Sequence, residues 1–473
     1  MQPEPARPAA SPGKVFAVVA VAVFLSILDL FIVNIAFPAI RSDFAGSSLA
    51  DVSWVLNAYA IVFAALLVPA GKIGDIVGRR RVFAAGLVTF GVGSALCAAA
   101  PSLGLLVAAR VLQAAGAAAV TPTSLGLLLP SFPPERRAVA IGGWAAIGGV
   151  GAASGPPLGG LLTSISWHWI FIVNVPLALG AAIAAVRVLP EIRDPARPRL
   201  PDALGTLLLI AAVGLVTLGL VRGAHWHWDV RADACFAAAA AATIGLWLRS
   251  RRHPAPALEL SILRVPAFAL SSLSAALFFA AFSAMLLSNV IFLTSVWHYS
   301  AITAGFALTP GPLAAAALAP VSGRLAARYG PGLPGALGAS LFVLSALWWI
   351  WQIGTTPDYA GAFLPGMVVG GMGVGLVLPS FTVAATATLP PARLATGIGA
   401  QTMFRQIGGT LGVATFVAIL GTPATGDVLG AFDETRAFMA ICAGLAAVAL
   451  VAISRVGGGA PVALSRRPVP AES

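Results

Sequence analysis

Long apolar runs recur along the whole 473-residue chain, and short segments that carry most of its charge separate them. A helix needs about 20 apolar residues to cross a hydrocarbon core about 30 Å thick. The pattern predicts an all-α polytopic membrane protein with 14 transmembrane helices, called spans 1 to 14 in chain order. Their predicted positions are residues 15–38, 52–70, 82–100, 103–128, 138–162, 167–189, 202–221, 232–248, 266–293, 302–321, 334–353, 359–380, 395–420 and 434–455.

The composition excludes the common soluble classes. Charged residues make up 10% of the chain and hydrophobic residues 59%, with a mean hydropathy of +0.93. Ordinary soluble domains contain about 25% charged residues. A soluble enzyme, a nucleic-acid-binding protein and a disordered scaffold are therefore excluded, and the net charge of +11 is interpreted as topological.

The basic residues indicate the orientation. Of 28 lysines and arginines, 22 lie in the N-terminal segment, in the loops that follow even-numbered spans, and in the C-terminal tail. Basic residues concentrate in cytoplasmic loops, so both termini are predicted to be cytoplasmic. Arginine far outnumbers lysine and Ala and Gly are in excess, which favours a bacterial gene of high G+C content and therefore a bacterial cytoplasmic membrane.

An internal repeat divides the chain. Residues 71–78 follow span 2 and residues 323–330 follow span 10, and each segment begins and ends with glycine. Two six-span halves separated by an inserted pair of spans satisfy this spacing, and paired halves are typical of secondary transporters. The predicted units are a disordered cytoplasmic N-terminus (1–14), an N-terminal six-helix half (15–189), a linker with inserted helices 7 and 8 (190–248), a cytoplasmic linker (249–265), a C-terminal six-helix half (266–455) and a cytoplasmic tail (456–473).

Six motifs follow one another on these spans. They are Leu28-Asp29 to Pro38 in span 1, Gly71 to Arg81 after span 2, Arg110-Val-Leu-Gln113-Ala-Ala-Gly116 in span 4, Gly151 to Gly160 in span 5, Trp167-His168-Trp169 to Pro176 at span 6, and Arg405-Gln406-Ile-Gly408-Gly409 in span 13. Together they resemble the signatures of the fourteen-span drug:proton antiporters of the major facilitator superfamily. The resemblance covers nearly the whole chain, with Ala114 where glycine is usual and His168 where arginine is usual. It implies a major facilitator fold and transport by alternating access.

Asp29 is the one carboxylate well inside an apolar run. A charged side chain there costs about 2.5–3.5 kcal/mol on insertion scales, so it needs a purpose. At 1.5 Å per residue, Asp29 lies roughly 20 Å from the start of span 1, and Arg110 lies roughly 10 Å below the far end of span 4. The two depths coincide, and the resemblance implies that spans 1 and 4 are neighbours. Together they predict a proton-coupling Asp29–Arg110 pair across the cavity. The alternative is a fixed structural ion pair.

The same carboxylate is expected to serve a cationic drug, so that proton and drug compete for one site. Arg405 lies about 15 Å up span 13, near the midplane, and Gln401, Gly408 and Gly412 lie on its helix face. Arg405 is either a cavity residue or an arginine that snorkels to the headgroups. The full set of predicted cavity residues is Phe31, Asn34, Asn57, Tyr59, Phe63, Phe282, Asn289, Gln401 and Arg405.

Two further motifs are assigned conformational roles. The resemblance implies that the loop after span 2 is a cytoplasmic gating latch between the halves, built from Gly71, Asp75, Gly78, Arg79 and Arg80. The alternative is a charge cluster that only sets topology. In span 5 the resemblance implies an antiporter motif that prevents leak, comprising Gly151, Gly155, Pro156, Gly159 and Gly160. Generic close packing of helices would also explain these glycines.

The sequence therefore predicts a non-enzymatic, proton-coupled antiporter that exports lipophilic, often cationic, drugs or toxic compounds. The alternatives are a narrow-specificity exporter of an endogenous metabolite or antibiotic and, less favoured, a facilitator or importer of the same superfamily. The expected partners are a small amphiphilic substrate, protons and the lipid bilayer, with no nucleic acid, in a monomer. No metal-ligand spacing or phosphate-cradling loop occurs in the sequence, so neither a metal nor another cofactor is expected.

Overall fold

The computed structural model describes residues 11–133, 136–193, 200–387, 389, 394–421 and 428–456. These residues form helices joined by short connections, with no strand among them, and the predicted all-α class is confirmed. The predicted N-terminal segment and C-terminal tail lie almost wholly outside the described residues. The first part of the chain contains α1 (Pro12–Asp43), α2 (Leu49–Val77), α3 (Arg79–Ala98), α4 (Leu103–Leu128), α5 (Arg137–Ile165), α6 (Trp169–Ile172) and α7 (Asn174–Val188).

The remainder begins with a two-helix hairpin, α8 and α9, and continues with a second set of long helices. Span 10 corresponds to two consecutive helices, α12 and α13, because Pro310 starts a new helix where its missing N–H would interrupt the first. The bounds are α8 (Ala203–Gly223), α9 (Val230–Arg252), α10 (Leu260–Leu263), α11 (Pro266–Ile291), α12 (Ala301–Leu308), α13 (Pro310–Tyr329), α14 (Gly332–Gln352), α15 (Leu364–Ala387), α16 (Leu394–Leu420) and α17 (Val428–Val456).

Among the described residues, thirteen helical segments are long and apolar enough to cross a membrane. The predicted count of fourteen is not confirmed, because α5, the predicted span 5, is not among the thirteen. This helix has 29 residues, so its length suffices. Its mean hydropathy is lowered because it is rich in glycine and contains Pro156 and Pro157.

The long helices pack in two groups. In the first, α3 packs against α4, α1 against α5, and α2 against α4; in the second, α14 packs against α15 and α17, and α11 against α16. The groups meet where α2 contacts α16 and where α5 contacts α12. The hairpin packs beside the contact between α2 and α16, since α8 touches both of these helices. The predicted unit boundaries themselves remain a prediction.

Single glycines make the sharpest reversals at one end of the bundle. Gly78 joins α2 to α3 with φ +123°, and Gly330 joins α13 to α14 with φ +78°. Residues with a Cβ rarely adopt such angles. The two copies of the sequence repeat thus end at equivalent corners. This end, where α1 begins and α2 ends, is called the basic face, and the other is called the opposite face.

Close helix contact in the second group depends on glycine in α16. A methyl group at Gly412 would collide with the Ala280 carbonyl of α11. We expect Gly412→Ala to destabilise the protein by about 1–3 kcal/mol, the usual effect of an overpacked core. Thermal unfolding in detergent measures this. Gly214→Ala in α8 is the control, because nothing lies within 4 Å of its added methyl. Equal melting temperatures for the two variants would contradict the prediction.

Candidate functional site

Asp29 lies at the centre of a buried polar network. Its Oδ2 accepts a hydrogen bond from Arg110 Nη1 at 2.6 Å. Its Oδ1 accepts from Gln113 Nε2 at 2.9 Å and from Asn174 Nδ2 at 3.1 Å. Asp29 is 0% exposed and Arg110 1% exposed. The network satisfies the carboxylate with one cation and two amides, as a buried charge requires.

Arg110 connects this carboxylate to the neighbouring helices. Its Nε donates to the Val55 carbonyl of α2 at 3.0 Å, and its guanidinium lies 4.0 Å from the centre of the Tyr59 ring. Gln113, one turn along α4 from Arg110, also donates to Ser94 Oγ of α3 at 2.6 Å. Five helices of the first group, α1 to α4 and α7, therefore meet at one ion pair.

Sequence reasoning paired Asp29 with Arg110 but did not assign Gln113 and Asn174 to the site. A signal for Gln113 was available, because a residue three positions after Arg110 shares its helix face. Asn174 belongs to the motif that spans Trp167 to Pro176, but nothing in its spacing relates it to span 1. Its contact with Asp29 depends on how α7 packs, which periodicity does not specify.

The expected position of the pair across the cavity is wrong. Asp29 faces the interior of the first helix group, whereas Phe31 and Asn34 face the second group. Successive residues turn by about 100° along a helix, so Phe31 lies on nearly the opposite side of α1 from Asp29. The rise per residue predicts the depth of Asp29 in the membrane, but it does not determine on which side of α1 the residue lies. In this conformation a cationic drug has no access to Asp29.

A small cavity lies between the helix groups. It has a volume of about 20 Å³, which is room for about one water molecule. Three predicted cavity residues line it, namely Phe31, Asn34 and Asn289, and so does Pro156 of the span 5 motif. A fourth predicted residue, Phe282, meets Phe31 edge-on with 6.1 Å between ring centroids. The lining is mostly apolar, with Ile35, Met285, Leu286, Val290, Leu308, Pro312 and Met367 completing it.

Three other predicted cavity residues lie elsewhere. Tyr59 and Phe63 stack on each other at 5.9 Å in the core of the first group, where Arg110 of α4 lies over the Tyr59 ring. Asn57 is two residues before Tyr59 and therefore on another side of α2, where it is buried and its amide donates to Ser53 Oγ at 3.4 Å. Gln401 is also outside the small cavity, since its amide donates to Ser271 Oγ at 2.8 Å and to the Phe381 carbonyl at 2.9 Å.

Arg405 lies beside α11. Its guanidinium lies 4.3 Å from the centre of the Phe279 ring. No carboxylate pairs with it within the described part of the chain. A cation–π contact contributes about 0.5–2 kcal/mol, which offsets only part of the roughly 2.5–3.5 kcal/mol that an arginine costs at the centre of a membrane helix. Gly408 and Gly412, expected to form a small face beside it, instead allow close packing of α16 on α11.

The glycines of α5 serve two interfaces. Methyl groups at Gly151, Gly155 and Gly159 would meet α1, at the Phe24 carbonyl, at Phe31 and at Ile35 respectively. A methyl at Gly160 would instead lie 2.6 Å from the Ala301 carbonyl of α12, in the second group. The motif thus holds α5 against the helix that carries Asp29 and also against the other helix group near the opposite face.

The predicted latch loop is a single residue. Gly71 and Asp75 belong to the end of α2, and Arg79 and Arg80 begin α3, so only Gly78 separates the two helices. Asp75 pairs with Arg79 at 2.9 Å, and Arg79 Nη1 donates to the Gly126 carbonyl of α4 at 2.8 Å.

The remaining latch contacts also stay in the first helix group. The Arg80 backbone N–H donates to Glu191 Oε1 at 3.2 Å, and its guanidinium donates to the Leu189 carbonyl at 3.3 Å. These contacts fix the basic face of the first group, rather than joining it to the second as predicted. Among the residues that the structure describes, no latch contact joins the two halves in this conformation.

The inserted hairpin is attached to the first group at both faces. Arg222, at the end of α8, pairs with Asp51, the residue that completes the N-cap of α2. At the basic face, Lys72 Nζ donates to the Pro256 carbonyl at 2.6 Å. Burial opposes the charge of Asp202, the N-cap of α8, but hydrogen bonds from the Gly205 N–H and Arg249 lower the pKa of its carboxyl.

Comparison with known proteins gives a consistent result. The chain matches the Major Facilitator Superfamily over residues 19–413. It is 34% identical over 421 residues to the "Tetracenomycin C resistance and export protein" of Streptomyces glaucescens, covering 88% of this chain and 77% of that protein. It is 33% identical over 402 residues to the "Multidrug resistance protein Stp" of Mycobacterium tuberculosis, covering 84% of this chain and 74% of that protein.

A solved structure has a similar fold. A POT family transporter in complex with a thioalcohol-conjugated peptide superposes with a TM-score of 0.69. The similarity covers 94% of this chain and 96% of that one at 16% sequence identity. At that identity the likeness extends to the fold alone.

The buried ion pair makes a testable prediction about stability. Removing one partner leaves a buried charge without compensation, which costs about 3–5 kcal/mol. We expect Arg110→Met to lower the melting temperature strongly. The double variant Asp29→Leu/Arg110→Met should recover much of the loss, because both charges are gone. A double variant that is less stable than Arg110→Met would contradict this account.

The contact between α5 and α12 predicts a conformational effect. Spin labels at Ser164 and Thr303, both exposed, report the separation of the helix groups near the opposite face. We expect Gly160→Val to add a population with a longer label separation, because the larger side chain cannot fit against Ala301. Gly149→Val, on the same helix with nothing within 4 Å, is the control. Unchanged distances in Gly160→Val would show that the contact does not hold this end together.

Proposed function

Because the chain belongs to the Major Facilitator Superfamily of transport proteins, we propose that it exports lipophilic drugs or toxic compounds in exchange for protons, by alternating access. It is a multi-pass membrane protein and not an enzyme. The observation that carries the proposal is the isolated carboxylate Asp29, buried at mid-helix against Arg110, with the small cavity on the other side of the same helix. The names of two relatives, a resistance and export protein and a multidrug resistance protein, support the direction of transport.

Proton exchange follows from the electrostatics of the pair. Desolvation disfavours an ionised carboxylate, and a nearby guanidinium favours it. A rearrangement of α1 relative to α4 changes the balance between these effects. Asp29 then takes up a proton when Arg110 moves away and releases it when the pair re-forms. Two buried polar atoms beside the pair, the Tyr59 hydroxyl and Asn174 Oδ1, have no hydrogen-bond partner within the described residues. Both are suited to hold water along a proton path.

Coupling to substrate passes through α1. Asp29 and the cavity residues Phe31 and Asn34 lie on different sides of one helix, so a rotation or tilt of α1 changes both together. Gly151, Gly155 and Gly159 pack α5 against the same helix. A movement of α1 is therefore transmitted to α5, and through Gly160 to α12. Proton and drug act on one moving element rather than competing for one carboxylate.

The proposal includes the setting of the transporter. Both termini are proposed to lie in the cytoplasm of a bacterial cell, with the protein in the cytoplasmic membrane, and the excess of basic residues on that side supports this orientation. The Asp75–Arg79 pair and the Glu191 contacts lie at that cytoplasmic face and are proposed to re-form against the second half when the basic face closes. We propose that the transporter is a monomer, as expected from the sequence.

A second candidate is a narrow-specificity exporter of one endogenous antibiotic or metabolite. The relative named for tetracenomycin C resistance and export favours it, because that name contains a single compound. The same site would serve, with selectivity set by the residues of the small cavity. A panel of chemically diverse compounds separates the two functions, since a narrow exporter protects cells against few of them.

The test is export driven by an imposed proton gradient. We expect inverted membrane vesicles containing the protein to accumulate at least one compound of a fluorescent lipophilic panel that includes ethidium, and a protonophore to stop the accumulation. Asp29→Asn should lower the rate at least about tenfold at equal membrane levels, because it loses the group that takes up the proton.

The matched control is Asp233→Asn, which removes a carboxylate of α9 that lies outside the network. Its rate should equal that of the wild-type protein. Full activity in Asp29→Asn would place the proton site elsewhere. Accumulation that persists with the protonophore would overturn proton coupling altogether.

A further inference from the structure

Arg405 is an intramembrane cation whose purpose the proton site does not explain. It lies 11 residues after the start of α16 and 15 before its end, so it is near the middle of the span. Two other arginines lie well inside spans, and both have carboxylate partners, since Arg110 pairs with Asp29 and Arg436 pairs with Asp433. Arg222, near the end of α8, also pairs with a carboxylate, that of Asp51. Arg405 has none within the described residues.

The surroundings of Arg405 show which way it faces. Gln401, one turn earlier on the same face of α16, hydrogen-bonds to Ser271 of α11 and to the Phe381 carbonyl of α15. Both of these helices line the small cavity, through Met285 and Met367. Arg405 itself is partly exposed and lies over Phe279 of α11. Its guanidinium is therefore directed toward the bundle interior rather than toward lipid.

Aromatic rings connect Arg405 to the cavity. Phe279 meets Phe282 with ring centroids 5.7 Å apart, and Phe282 meets Phe31 of the first group at 6.1 Å. Phe31 lines the small cavity. A planar molecule that enters between the helix groups thus finds ring faces and edges for stacking, with a guanidinium at one end of the row.

Negative charge is sealed off from the same space. The oxygens of Asp29 already accept from Arg110, Gln113 and Asn174, and the side chain is fully buried. Arg405 is therefore a positive charge beside this space that no carboxylate of the described residues neutralises. Guanidinium groups bind carboxylates and sulfonates through paired N–H donors and also stack on aromatic planes.

We propose that Arg405, with Phe279 and Phe282, forms a subsite that binds anionic aromatic compounds, so that the preferred substrate is an acidic planar molecule rather than a cation. The subsite rests on the proposed export function, which supplies a reason for such a molecule to enter. It replaces the sequence-based expectation of a cationic drug, since that expectation relied on an accessible Asp29.

Three ligands that share one ring system test the charge preference. Pyrenebutyrate, pyrenebutanol and pyrenebutylammonium differ in charge but have the same aromatic part and linker. Binding to the full-length protein in phosphatidylcholine nanodiscs is measured by energy transfer from its tryptophans, with empty nanodiscs as the blank. We expect pyrenebutyrate to bind tightest and pyrenebutylammonium weakest.

Substitutions of Arg405 test whether its charge is responsible for the preference. Arg405→Gln should weaken pyrenebutyrate binding at least about tenfold, the usual effect of losing a charged hydrogen-bond donor, and leave pyrenebutanol binding within about twofold. Arg405→Lys should retain part of the preference, because the charge remains. Arg41→Gln, which removes an exposed arginine at the opposite face, should change nothing. Phe279→Leu should weaken all three ligands alike.

The outcomes separate the two proposals. Unchanged pyrenebutyrate binding in Arg405→Gln, or tighter binding of the ammonium than of the carboxylate, would overturn the subsite even if the protein exports drugs. If phosphatidylglycerol in the nanodiscs displaces pyrenebutyrate from wild type and not from Arg405→Gln, Arg405 holds a lipid phosphate and the subsite is likewise overturned. Binding that depends on Arg405 without proton-driven transport would support the subsite and contradict the export function.

Discussion

The structure depends on the cost of placing charge in hydrocarbon. Thirteen of its described helical segments are suited to a membrane, and Asp29, Arg110 and Arg405 lie well inside them. Asp29 and Arg110 lower this cost because their opposite charges pair, and Gln113 and Asn174 donate the remaining hydrogen bonds to the carboxylate. Because those groups come from α1, α4 and α7, the ion pair also fixes how the first helix group packs. The carboxylate that we propose as the proton site therefore also holds the surrounding helices together.

The second constraint is that the helices must approach one another closely, and glycine makes this possible. In the membrane, apolar side chains give helices little reason to associate, so backbone proximity matters. The stripe at Gly151, Gly155 and Gly159 brings α5 against α1, and Gly160 brings it against α12. One helix therefore touches both the helix that carries Asp29 and the second group. Under the proposed function, this shared neighbour would couple movements of the two groups.

The sequence was sufficient to predict the fold, but it did not determine how each helix is rotated about its own axis. Apolar run lengths specified the spans, since length in a membrane is set by thickness, and the motifs specified the superfamily. Depth along a helix was also accessible, so Asp29 and Arg110 were matched correctly. Whether Asp29 faces Arg110 from inside a half or across the cavity depends on helix rotation, which neither run length nor motif spacing determines. For the same reason Tyr59 and Phe63 were assigned to a cavity that they do not line, and Asn174 was left out of the site that it completes.

The contrast between Arg110 and Arg405 distinguishes the two helix groups. Arg110 is held by a carboxylate and three further contacts, so its position is defined without any ligand. Arg405 has one ring beside it and no counter-charge among the described residues. A charge that the fold itself does not neutralise is stabilised by whatever anion reaches it, and the energy of that encounter is available only when the ligand is present. Under the proposed function, a proton site in the first group and a ligand-dependent charge in the second would give each group one of the two binding events, and exchange would follow when α1, which lies against both, responds to each.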